Sequence, residues 1–139
     1  MADNQVNGGC RRLEANEFLG DIQFCDPGLS AKAGEFLVPG MLVQVTSTVD
    51  HREAVSQSYA IAYLHRASDE SAVENGSAPT ATDVQDGATG GTVTVKYEWD
   101  DLKINQAGEY FYRVIIMSMV PGEMMGFGTW DSKNITVSE

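Results

Sequence analysis

The chain is short of the residues that build chemistry in small numbers. It has two histidines and two cysteines, too few for a Cys/His zinc cluster. Asp100-Asp101 is an adjacent acidic pair, but the ligand spacing of a calcium loop is missing. The expectation is therefore no metal and no cofactor. Basic residues are also scarce: 9 Lys and Arg stand against 20 Asp and Glu, a net charge of −11. Such a field repels phosphate backbones and argues against nucleic-acid binding by this chain alone. No run approaches the roughly 18 apolar residues of a membrane span. Met1-Ala2-Asp3-Asn4-Gln5 leads into polar residues without the apolar core of a signal peptide. These absences predict an intracellular protein of cytoplasm or nucleus, although a mature secreted form fits the same observations. In the intracellular reading Cys10 and Cys25 are reduced thiols; a secreted chain would pair them.

What the chain does have is alternation. Its 139 residues, 42% hydrophobic, suffice for one domain with its own core. Gly91–Arg113 organises the rest. Val93, Val95, Tyr97 and Trp99 point one way and Thr92, Thr94, Lys96 and Glu98 the other, the period of a half-buried strand. Ala107-Gly108 supplies a turn before a second strand from Tyr110 to about Met119. Gly108-Glu109-Tyr110 fits a tyrosine corner, in which a Tyr near a strand start bonds back to upstream backbone.

Further strands are expected at Met41–Val49, with Met41, Val43, Val45 and Val49 on one face, at Ser56–Arg66, and at Trp130–Val137 with Ile135 and Val137 inward. Leu13–Phe24 allows a short helix, but Ile22–Phe24 reads better as a strand. Asp26-Pro27-Gly28 and Pro39-Gly40 have turn chemistry. Residues 1–12 read as a mobile tail, and 67–90 as an acidic mobile insertion without periodicity. Residues 13–139 thus form one all-β domain, a single antiparallel immunoglobulin-like β-sandwich of about seven strands. A closed barrel is the runner-up.

Several residues are candidates for chemistry. His65, at the end of an apolar strand, suits a general base or a ring bonded to backbone. Arg113 on an apolar strand requires a partner, either an internal carboxylate such as Asp101 or Glu98 or an anionic ligand. Asp101 is a third polar candidate or a turn cap. Asp50-His51-Arg52-Glu53 reads as a solvated turn. Tyr63, Trp99, Tyr112, Met124, Met125, Phe127 and Trp130 are the candidate lining of a ligand or partner site. The Met- and Gly-containing stretch 119–130 fits an adaptable pocket or groove, and equally a lid over the core. Asn75-Gly76-Ser77 and Asn134-Ile135-Thr136 match the N-glycosylation pattern, which bears on a secreted chain alone.

Asp101, Leu102, Ile104, Gly108, Tyr110 and Arg113 stand as D-L-x-I-x-x-x-G-x-Y-x-x-R. This run resembles a segment of fungal velvet domains. Leu64-His65-Arg66 with Asp69, and Ser132–Val137, resemble two more stretches of that family, so the likeness covers about residues 63–137. It implies a Rel-type sandwich that dimerises. The family's basic, Cys- and Gly-containing DNA-binding segment has only Gly9-Cys10-Arg11-Arg12 as its echo here. The resemblance therefore implies the sandwich and its pairing surface rather than DNA reading.

Three functions fit. The first is an interaction module that pairs with itself or another protein through an apolar sheet face. The apolar strands at Tyr59–Leu64 and Phe111–Met117 argue for it. The second is a cofactor-free isomerase or cyclase holding an apolar small molecule among Tyr63, Trp99, Tyr112, Met124 and Trp130, with His65 or Arg113 as polar agents. The third is a secreted surface domain, favoured by a Cys10–Cys25 disulfide. No catalytic motif is visible, and fold alone does not choose among them.

Overall fold

The computed structural model describes residues 9–73, 76–118 and 125–139. In chain order the strands are β1 (Cys10–Leu13), β2 (Leu19–Cys25), β3 (Ser30–Lys32), β4 (Met41–Ser47), β5 (Ser58–Arg66), β6 (Ala81–Asp86), β7 (Val93–Trp99), β8 (Gly108–Ser118), β9 (Gly126–Asp131) and β10 (Ile135–Ser138). A 3₁₀ turn (Val49–His51) and one short helix, α1 (Arg52–Ser56), join β4 to β5.

One sheet has the order β1-β2-β4-β7-β6 and is antiparallel throughout. The other runs β3-β10-β8-β5, with β9 also paired to β8; its β3–β10 pair is parallel. Within them β2-β4-β7-β6 faces β5-β8-β9/β10, the A-B-E-D and C-F-G order of immunoglobulin domains. β1 and β3 are additions at the edges. The all-β sandwich expected from the alternation is thus the fold.

The alternating strands explain the core. Met41, Val43 and Val45 on β4, and Val93, Val95, Tyr97 and Trp99 on β7, are buried. They meet Ala60, Ala62 and Leu64 of β5, Tyr112, Val114 and Ile116 of β8, and Ile135 and Val137 of β10. Burying such side chains stabilises by roughly 1.5–3 kcal/mol each. The tyrosine corner is present: Tyr110 Oη donates to the Gln106 carbonyl at 3.0 Å. Gly108, with φ of 150°, lies under that ring, and a Cβ there would come within 3.2 Å of Tyr110 Oη.

Five expectations are corrected. Cys10, Arg11 and Arg12 are not tail but strand β1, paired with Cys25, Phe24 and Gln23. Cys10 and Cys25, directly opposite one another, form a disulfide rather than two thiols. The 67–90 segment contains strand β6, laid along β7 from Ala81↔Glu98 to Asp86↔Val93. Its six residues are exposed on both faces, so no alternation marked them. The closing strand is two, β9 and β10, separated at Ser132–Asn134, and β9 takes in Gly126–Gly128, which read as loop. Val49 is exposed rather than on the buried face of β4, because the chain turns into the 3₁₀ segment there.

Candidate interaction face

The second sheet has an unusual exterior. On β5 the inward residues Ala60, Ala62 and Leu64 alternate with Tyr59, Ile61, Tyr63 and His65, which are half-buried. On β8 the outward set is Phe111, Arg113, Ile115 and Met117. Antiparallel register sets them side by side: Tyr59 opposite Met117, Ile61 opposite Ile115, Tyr63 opposite Arg113 and His65 opposite Phe111. Directly opposed residues share a face, so two apolar rows lie next to one another. The Tyr59 hydroxyl reaches Met117 Sδ at 3.5 Å. Gly76 borders the patch so closely that a Cβ there would lie 2.3 Å from Ile61 Cγ2.

The first sheet's exterior differs. Gln23, Gln44, Lys96 and Asp83 make one continuous cross-strand row, and Asp21, Thr46, Thr94 and Gln85 the next. Thr46 and Thr94 join their hydroxyls at 2.9 Å. Apart from Leu42, in the row Cys25–Leu42–Glu98–Ala81, the first outer face is polar, whereas the second is mostly apolar.

A charged cluster closes one end of the apolar face. Arg113 donates from Nε and Nη2 to the two carboxylate oxygens of Asp131 at 2.8 and 3.1 Å, and from Nη2 to Glu70 at 3.4 Å. The Asp131 hydrogen bond, above all, raises the Arg113 pKa further. The partners expected for Arg113, Asp101 and Glu98, are not those it finds. Asp131 lies directly opposite Arg113 on β9, a pairing visible only once the hairpin register is known. Asp101 sits exposed in the β7–β8 connection, beside Leu102, whose carbonyl accepts from Leu37.

His65 takes the backbone role: Nδ1 donates to the Glu70 carbonyl at 2.8 Å, which fixes the tautomer. Its ring stacks on Phe111 with centroids 5.3 Å apart, and Arg113 Cζ lies 5.3 Å from the same ring. That cover explains why Phe111 is buried on an outward position. The 66–71 turn beneath is tied by Asp69, which accepts from the Ser71 hydroxyl at 2.7 Å and the Ser71 N–H at 3.0 Å. These bonds lower the Asp69 pKa.

The expected pocket residues are divided between the two sides of this sheet. Trp99 and Tyr112 are inward, in the core, whereas Tyr63 is outward. Phe127 is buried and touches Phe18 edge-on at 5.3 Å between centroids. Met125 and Trp130 pack against the core from its margin. Trp130 lies over Gly128, where a Cβ would be 2.3 Å from the indole. Met124, with Met119 and half of the 119–130 lid stretch, falls outside the described residues. A cleft of about 190 Å³ is lined by Arg66, Ser68, Gln106 to Glu109 and Tyr110, and one of about 480 Å³ by Arg52 and the 86–92 turn. Neither includes His65, Arg113 or the expected aromatic lining.

Among the described residues no group of three or more His, Cys, Asp and Glu is placed to hold a metal ion. No helix among them is long and apolar enough to cross a membrane. The fold and exterior define a class: an immunoglobulin-like sandwich with one mostly polar and one mostly apolar outer face. No family model and no curated protein matches the chain.

Proposed function

We propose that the protein is an interaction module that docks a protein partner, first of all a second copy of itself, on the outer face of β5 and β8. The observation that carries this reading is the contrast between the two sheet exteriors. Tyr59, Ile61, Tyr63, Ile115 and Met117 form contiguous apolar rows where the other sheet shows Gln, Thr, Lys and Asp. Apolar surface left at a sheet exterior gains free energy on being covered, and contiguous patches mark interaction sites. Tyr and Met are also favoured at interface centres. The Arg113–Asp131–Glu70 cluster supplies a polar rim on one side. The velvet resemblance adds support, since that family pairs through its sandwich.

The test is native mass spectrometry of the protein alone and after incubation with extract of its source cells. The wild type is expected to run as a pair or to gain a partner chain. Ile61→Lys combined with Ile115→Glu, which sets opposite charges at directly opposed outward positions, is expected to abolish that species while the protein still unfolds cooperatively, with a melting temperature lowered by a few degrees at most. A wild type that stays monomeric and captures no protein, or a double variant that associates normally, would overturn the proposal.

A further inference from the structure

We infer that Asn134 is the acceptor of an N-linked oligosaccharide. The argument joins three observations and does not depend on the interaction face. First, Asn134-Ile135-Thr136 has the acceptor pattern. Second, the fold presents it. Ile135 is fully buried, and neighbours along a strand point oppositely, so Asn134 and Thr136 are turned outward; both are exposed. The backbone on either side is anchored: Lys133 N donates to Asp26 at 2.9 Å and Thr136 N to the Leu29 carbonyl at 2.9 Å. Asn134 therefore projects from a fixed corner between β9 and β10, and a bulky group on it displaces nothing from the core.

Third, the Cys10–Cys25 bond places folding in an oxidising compartment. Disulfides persist in the secretory lumen and outside the cell and are rare in the reducing cytosol. The lumen is also where the co-substrate is met, an oligosaccharide carried on a lipid pyrophosphate. In the transfer, the Asn134 amide nitrogen attacks the anomeric carbon of the first sugar. The carbon–oxygen bond to the pyrophosphate breaks and its electron pair leaves with the lipid pyrophosphate. A carbon–nitrogen bond forms and one amide proton passes to a base, with no oxidation or reduction. This chain supplies only the acceptor.

The glycan would share the outer face of the second sheet with the proposed docking rows, at one end of it. β10 pairs with the start of β8, Thr136 lying opposite Glu109, and with β3 on its other side. The pairs Ile61–Ile115 and Tyr59–Met117 lie further along β8, away from its Glu109 end.

The test uses protein isolated from its source cells. Peptide mapping should find the Asn134 peptide carrying sugar, and peptide N-glycosidase in heavy-oxygen water should leave a labelled aspartate at that position. Thr136→Ala, expressed in the same cells, keeps the asparagine but breaks the pattern; Asn134→Gln removes the acceptor nitrogen. Both should lose the sugar mass of the Asn134 peptide while unfolding at the wild-type temperature. An unmodified Asn134 peptide in the natural protein, or sugar that persists at Asn134 in Thr136→Ala, would overturn the inference.

Discussion

Tyr97 is a polar group placed where charge is penalised. Its ring is buried on β7, its hydroxyl is hydrogen-bonded to Ser58, and burial pushes its pKa up from 10.0 to about 12. A pKa raised in the fold means that the unfolded chain loses this proton first. The stability tied to neutral Tyr97 is therefore whole below pH 10 and drains as pH climbs toward about 12. The loss is on the order of 1.4 kcal/mol per pH unit across that window. Urea midpoints taken between pH 8 and 11.5 should fall more shallowly for Tyr97→Phe than for the wild type; equal slopes would show that Tyr97 ionises freely in the fold. Its neighbour Trp99 is fully buried and donates from Nε1 to the Ser77 carbonyl at 3.0 Å. Trp99→Ala should cost about 3–5 kcal/mol in urea unfolding, while Trp99→Phe should keep most of the packing and lose chiefly the hydrogen bond. An unchanged midpoint in the alanine variant would contradict the core position.

At the scale of elements, β1 and β6 depend on partners rather than on their own patterns. β1 is held by the Cys10–Cys25 bond and by Arg11, which pairs with the buried Asp26 and donates to the Asp131 carbonyl at 2.7 Å. The other Asp26 oxygen accepts from Lys133 N, so this carboxylate ties β1 to the β9–β10 corner across the two sheets. β6 is a ladder on β7 whose residues are all exposed. Replacing residues 80–86 with a Gly/Ser run of equal length should lower stability by about 2 kcal/mol, from cross-strand pairs worth a few tenths each. Chemical denaturation reads this directly. An unchanged midpoint would mean that the segment adds nothing to the fold.

For the whole molecule, charge sets how the apolar face is used. Two copies each carrying −11 repel, and added salt screens that repulsion within about 10 Å at 0.1 M. Self-pairing should therefore tighten as salt is raised, by several-fold between 20 and 300 mM in sedimentation equilibrium. A basic partner would show the opposite trend, because attraction is screened as well. The salt dependence thus separates a second copy from a cationic protein without any structure of the complex. Association that weakens with salt for the pure protein would contradict self-pairing on an apolar patch.

Alternation of bulky and polar residues determined β4, β7 and the inward half of β5 and β8, because a strand's period of two sorts faces without reference to any neighbour. The tyrosine corner was legible for a related reason, since Gly108 and Tyr110 act within one turn of chain. The apolar exterior was legible as well, as strands rich in large side chains on both faces. Only the tertiary structure decided which groups meet. Arg113 finds Asp131 and Glu70 through strand register and a turn, Cys10 finds Cys25 through a strand that reads as tail, and β6 exists through backbone bonds that any side chains would permit. Pairing between strands is carried by main-chain groups common to every residue, so the sequence determines the faces and the assembled sheets decide the partners.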